Sequence, residues 1–251
     1  MTELGLKEII IKASDKYHLD ILPCVNNEKT RLREQYFSVS VGQVDKLALR
    51  ITDRELSNYK YETDSSKWLK SNPFGYAKWF INQATVSSTK MFSLNESVQP
   101  VPKYQSNKLP LQRVVQILKR HRDIMFDGDD EKPISIIITT LASRAYKKHT
   151  NILEALVNVI NDMHNHIENK YDIDKRIYYK FIGNPVNPAE NFADKWIENP
   201  NKEKKFYAWL EAVKKDLSVE QIDKLILQTA QLKERQEQPD TPESLASIPL
   251  L

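Results

Sequence analysis

Asp20 is the first residue in the chain placed where a carboxylate can do chemistry. It lies in Tyr17–Val25 (YHLDILPCV), flanked by apolar residues. A carboxylate on such a strand can hold a magnesium ion, although a solvent-facing strand acid fits the same pattern. Two-metal phosphoryl transfer needs two or three such carboxylates around ions roughly 3.5–4 Å apart. A second group of residues is basic. Lys119, Arg120, His121 and Arg122 follow an apolar helical stripe, with Lys108 and Arg113 nearby. On a helical wheel Lys119 borders the stripe and Arg122 falls almost within it. Basic side chains so placed can reach a cleft and hold phosphates, or can simply complement a helix C-terminus.

Other reactive side chains carry weaker patterns. Asp127-Gly128-Asp129-Asp130-Glu131 resembles the start of a calcium loop. Counted from Asp127, however, the twelfth position is Ile138, where an EF-hand needs a glutamate. The run therefore reads as a surface turn between helices. His164 and His166 lack the four-residue spacing of a zinc pair, and there is no HExxH. Cys24 is the single cysteine and reads as a small buried residue rather than a nucleophile.

The chain that positions these groups has 251 residues, enough for one large domain or two small ones. Only 5 residues are glycine, which argues against a turn-rich barrel and against a Gly-rich phosphate loop. A net charge of +3 is too small to imply nucleic-acid binding by itself, so that partner class stays open. One cysteine excludes an intrachain disulfide and suits a reducing cytoplasm. No apolar run approaches the ~20 residues of a membrane span. The first residues lack a basic-then-apolar leader. A cytoplasmic protein without a membrane partner is expected.

The first third reads as short strands: Glu8–Ser14, Tyr17–Val25 with Pro23 ending its ladder, Phe37–Val41 and Leu47–Ile51. They have few partners within their own segment, so the sheet looks incomplete. An exposed edge of that kind invites pairing with a second copy. From about Ser66 helices are expected. One spans Tyr76–Ala84, and residues 86–108 form a long connection. Leu111, Val114, Val115 and Leu118 mark the next helix. Ile134–Tyr146 is β-branched, but its length and its Ala142/Ala145 spacing favour a buried helix. A third long helix runs from Ile152 to Ile167. Asn187-Pro188-Ala189-Glu190 predicts a helix start. Phe206, Trp209, Leu210 and Val213 line another helix, and Ser218–Gln221 repeats the capping pattern. The tail beyond Gln236 is rich in Pro, Glu and Ser, the composition of a disordered end.

Four stretches occur in one order: YHLDILPCV at 17–25, SNPFGYAKWF at 71–80, LQRVVQILKRHRD at 111–123 with KPISIIITTLA at 132–142, and NPVNPAENFADKW at 184–196. Together they resemble the bacterial cGAS/DncV-like nucleotidyltransferases, relatives of oligoadenylate synthase. The resemblance implies an α+β chain: a partial nucleotidyltransferase palm with few strands, over 1–65, then a larger, mainly helical domain over 66–236. Residues 237–251 would be a disordered tail. It also implies a cyclic-oligonucleotide synthase, which joins ATP, GTP or other nucleoside triphosphates into a cyclic di- or trinucleotide messenger for anti-phage defence. By resemblance Asp20 matches the third of three carboxylates that hold two Mg²⁺ ions. Lys119 matches the lysine that contacts the triphosphate, and Ser135 the position that helps hold the same nucleotide.

The departure from the pattern is as specific as the match. The family's palm begins with a Gly-Ser turn and a paired-carboxylate strand, and this sequence contains no Gly-Ser dipeptide. The chain alone is therefore expected to be catalytically incomplete. A separate N-terminal half, or a second copy, would be its partner. The competing expectation is a non-catalytic helical module that binds nucleotide, nucleic acid or protein.

Overall fold

The computed structural model describes residues 9–14, 17–21, 24–26, 48–53, 56–86, 108–218, 220–224 and 227. Phe37–Val41, most of the connection after residue 86 and the tail beyond Gln236 lie outside the described residues. Strands β1 (Ile9–Ser14) and β2 (Tyr17–Ile21) form an antiparallel pair in which Ile10 faces Asp20 across the ladder. The β2 ladder ends at Ile21, just before Pro23. Strand β3 (Cys24–Asn26) pairs with β4 (Leu49–Ile51), which pairs with β5 (Leu69–Ser71), giving a three-stranded antiparallel sheet. Cys24 sits exposed on β3 and not buried, because its strand contributes an outer position rather than a core one.

The chain then turns helical. In α1 (Pro73–Ala84) the start is set by Asn72, whose side-chain oxygen accepts the Gly75 N–H at 2.8 Å, and by Pro73 in the first turn. The helix thus begins three residues before the apolar run at Tyr76 shows it. Helix α2 (Pro110–Met125) buries Leu111, Val114, Val115 and Leu118 along one stripe. Helix α3 (Ser135–Ala145) is buried nearly all round, through Ile137, Ile138, Leu141, Ala142 and Ala145. Its β-branched content suits a strand by propensity. Burial on all sides overrides that preference, and its hydroxyls bond inside the helix: Thr139 to the Ser135 carbonyl at 2.8 Å, Ser143 to the Thr139 carbonyl at 2.7 Å.

Helix α4 (Ile152–Asp162) is capped by Asn151, which accepts the Leu153 and Glu154 amides. It ends at Asp162, earlier than the expected Ile167, because a 3-10 turn at Met163–His166 leads into a hairpin. That hairpin pairs β6 (Glu168–Asp172) with β7 (Ile177–Phe181). The Asp172 side chain accepts the Asp174 and Lys175 amides, and Arg176 takes the left-handed conformation at φ 54°. A second hairpin joins β8 (Gly183–Asn184) to β9 (Asn187–Asn191).

The helix expected at Asn187-Pro188-Ala189-Glu190 is therefore a strand. Asn187 and Glu190 do meet, at 3.3 Å, but Glu190 also accepts from Asn184 at 2.8 Å across the hairpin. That cross-strand partner holds the segment extended. After it come α5 (Lys195–Glu198) and α6 (Pro200–Asp216). Phe206, Trp209, Leu210 and Val213 of α6 join the same core as α2, α3 and α4. Among the described residues no helix is long and apolar enough to cross a membrane. The chain is α+β, with short strands ahead of the helices and two further hairpins among them.

Candidate functional site

A pocket of about 510 Å³ opens between α1, α2 and α3. Tyr76, Ala77 and Phe80 of α1 form one wall. Gln112, Val115, Gln116 and Lys119 form a second. Their spacing of three and four residues puts them on one face of α2. Ser135, Ile136 and Thr139, from the first turns of α3, form the third, and Lys108 completes the lining. The chamber has apolar surfaces from Phe80, Val115 and Ile136, with a few polar groups among them. This composition suits a small organic ligand.

The structure brings Lys119 and Ser135 to this one pocket. Burial is the main influence on the Lys119 ammonium and pulls its pKa below the usual lysine value. The Arg122 charge adds to that effect and Asp123 opposes it. Among the described residues no carboxylate lies within ion-pairing distance of Lys119. Its positive charge is thus available to an incoming anion. Ser135 stands at the start of α3, where the first amides of the helix have no partners of their own within it.

Arg122 shares the stripe of α2 with Leu118 and is 7% exposed. Its Nη1 donates to the Pro133 carbonyl and to Ser135 Oγ, each at 2.9 Å. Nε and Nη2 both donate to Asp123 Oδ1, at 3.0 and 2.6 Å. Its place in the apolar stripe is the signal that marks it in the sequence, but nothing there points to Ser135. Tyr76 carries no sequence signal that marks it as a site residue. Its phenol shares a 2.9 Å hydrogen bond with Thr140 Oγ1, and burial pushes its pKa up to about 12. It is therefore a neutral, fixed part of the wall.

The other expected groups lie apart from this pocket. Asp20 is in β2 by its backbone, and its side chain lies outside the described residues. Among the described residues no three His, Cys, Asp or Glu side chains converge as a metal would need. The acidic turn is a surface turn between α2 and α3. Lys205 of α6 bridges its Asp129 and Glu131 at 2.7 and 2.9 Å, and Asn199 and Asn201 also donate to Glu131. His166 is 3.5 Å from Asp162 on the 3-10 turn.

A family described as peptidase-associated matches residues 194–251. That stretch holds α5 and α6 but none of the residues lining the pocket. A c-di-GMP synthase of Roseivirga ehrenbergii is 38% identical over 145 residues. The match takes in 57% of this chain and 38% of the relative, so the chain spans well under half of that protein's length. A solved structure, the Bradyrhizobium diazoefficiens CD-NTase CdnG in complex with GTP, superposes with a TM-score of 0.45 at 21% identity, over 60% of this chain and 49% of its own. Over part of its length, the chain is similar to the bacterial CD-NTase-like nucleotidyltransferases.

Proposed function

We propose that this chain is the C-terminal portion of a nucleotidyltransferase that joins nucleoside triphosphates into a cyclic di- or trinucleotide. One observation carries the reading: Lys119 and Ser135 line a single pocket, and Lys119 has no described carboxylate partner. The relative named c-di-GMP synthase supports the same reaction class. In this reading the donor triphosphate lies against Lys119 and Ser135. The apolar surfaces of Phe80, Val115 and Ile136 receive the base. The cyclic product would be a messenger in anti-phage defence, made in the cytoplasm, a role that rests on the family resemblance.

Asp20 is proposed as one of three carboxylates for Mg²⁺. The ions would activate the attacking ribose hydroxyl and offset charge on the transferring phosphate. Nothing among the described residues completes that ligand set. The chain alone is accordingly proposed to bind nucleotide without turning it over. Incubation with labelled ATP and GTP plus magnesium tests this directly. The expected result is no product from the chain by itself, and a cyclic product once a palm bearing the Gly-Ser turn and the paired carboxylates is supplied. Product from the chain alone would overturn the incompleteness. Absence of nucleotide binding by calorimetry would overturn the whole reading and leave a protein-binding module.

A further inference from the structure

We infer that Arg122 is a positioning residue: it holds the Ser135 hydroxyl with its proton directed to an anion in the pocket. The inference rests on the nucleotide reading for its natural ligand, but its geometry stands alone. A guanidinium has N–H donors and no acceptor. The 2.9 Å contact between Arg122 Nη1 and Ser135 Oγ therefore makes Ser135 the acceptor. A hydroxyl has one proton to give. Among the described residues no acceptor is placed for the Ser135 proton, and Ser135 lines the pocket. The phosphate oxygens of a di- or triphosphate accept and do not donate, so they match a hydroxyl whose acceptor side is already taken.

Arg122 itself cannot turn into the pocket without loss. Four of its five N–H groups are committed, two to Asp123 and one each to Pro133 and Ser135. Pro133 and Ser135 flank the first turn of α3, so the same guanidinium fixes that helix start against α2. Lys119, one turn earlier on α2, is then the direct cation, and Arg122 acts through Ser135.

The test compares ATP, inorganic tripolyphosphate and adenosine by calorimetry on the wild-type chain and its variants. Ser135→Ala and Arg122→Lys are each expected to weaken both anions by about tenfold, the scale of one charge-assisted hydrogen bond. The double variant should be little worse than either single one, and adenosine should be unaffected. Asp123→Asn separates positioning from charge. Loss of a negative group should tighten anion binding if Arg122 acts only through its charge. It should weaken binding if Asp123 holds the guanidinium on Ser135. Asp123 is partly exposed and its replacement keeps the shape, so this variant serves if Arg122→Lys does not fold.

Wild-type binding of tripolyphosphate as tight as ATP, still lost in the variants, upholds the positioning and sinks the nucleotide reading alone. Additive effects of Ser135→Ala and Arg122→Lys, or tighter binding by Asp123→Asn, overturn the positioning and leave the nucleotide reading intact. No binding of either anion overturns both.

Discussion

Lys205 and Lys119 both project from long helices of the same core, α6 and α2. Lys205 meets Asp129 at 2.7 Å and Glu131 at 2.9 Å. Its pKa is raised by those hydrogen bonds, while each carboxylate is lowered in return, Glu131 to about 2. Lys119 has no such partner among the described residues, and its pKa moves the other way. The acidic turn is a closed set of charges that ties the α2–α3 connection to α6. The pocket holds a charge that folding leaves unmatched. A protein keeps an unfavourable cation of that kind where a ligand will match it.

The largest effect should come from Lys119→Ala. Loss of a charged hydrogen bond to phosphate costs about 1.5–3 kcal/mol, so calorimetry should show ATP affinity falling roughly ten- to a hundredfold. Lys205→Met should leave that affinity unchanged. Equal losses in the two variants would erase the distinction between the clusters. Tyr76→Phe comes next. It removes the bond to Thr140 and should cost about 1 kcal/mol in urea denaturation, with Phe80 and Ile136 still shaping the pocket.

Acid should then act on the closed cluster. The Glu131 pKa is depressed in the fold, so its contribution is present above the ordinary value of 4.5 and is lost as pH falls toward about 2. Denaturation midpoints should drop across that window in the wild type and drop less in Lys205→Met. The smallest effect has the opposite pH sense. The folded pKa of Lys119 is depressed, so its charge disfavours the fold below that value, and the penalty fades as pH rises toward 10.5. Lys119→Gln should thus be slightly more stable than wild type at neutral pH, with the gap closing in alkali. A lower denaturation midpoint for Lys119→Gln at neutral pH would mean that Lys119 has a partner in the fold.

The helical stripes are readable from sequence because one face of each helix meets a single core. Leu111 to Leu118, Ile137 to Ala145 and Phe206 to Val213 all show a period that burial enforces. The place of Lys119 at the border of its stripe follows from the same period. Ser135 has no such signal, and only the family resemblance points to it. The hairpins are not readable in this way. Asn187 and Glu190 make the short-range contact that a capping pattern implies, but Asn184 decides that the backbone is extended. At β6–β7 the signal is present in the tyrosines at 171, 178 and 179 and in the Asp172 turn. It is hidden because the apolar spacing of α4 runs on into Ile167. Arg122 shows a third limit: its address in the stripe is local, whereas its hydrogen bond to Ser135 crosses between helices.

Lys148 gives the pocket a mechanical property. It takes the left-handed conformation at φ 61°, and its ammonium donates to the carbonyls of Asn82 and Gln83 at the end of α1. Asn72 fastens the opposite end of the same helix. A beam clamped at both ends does not flex at its middle, where Tyr76 and Phe80 sit. The pocket can widen on that side only if α1 shifts as one rigid body, pulling β5 with it, so a guest that fits poorly must strain the small sheet as well as the wall it touches.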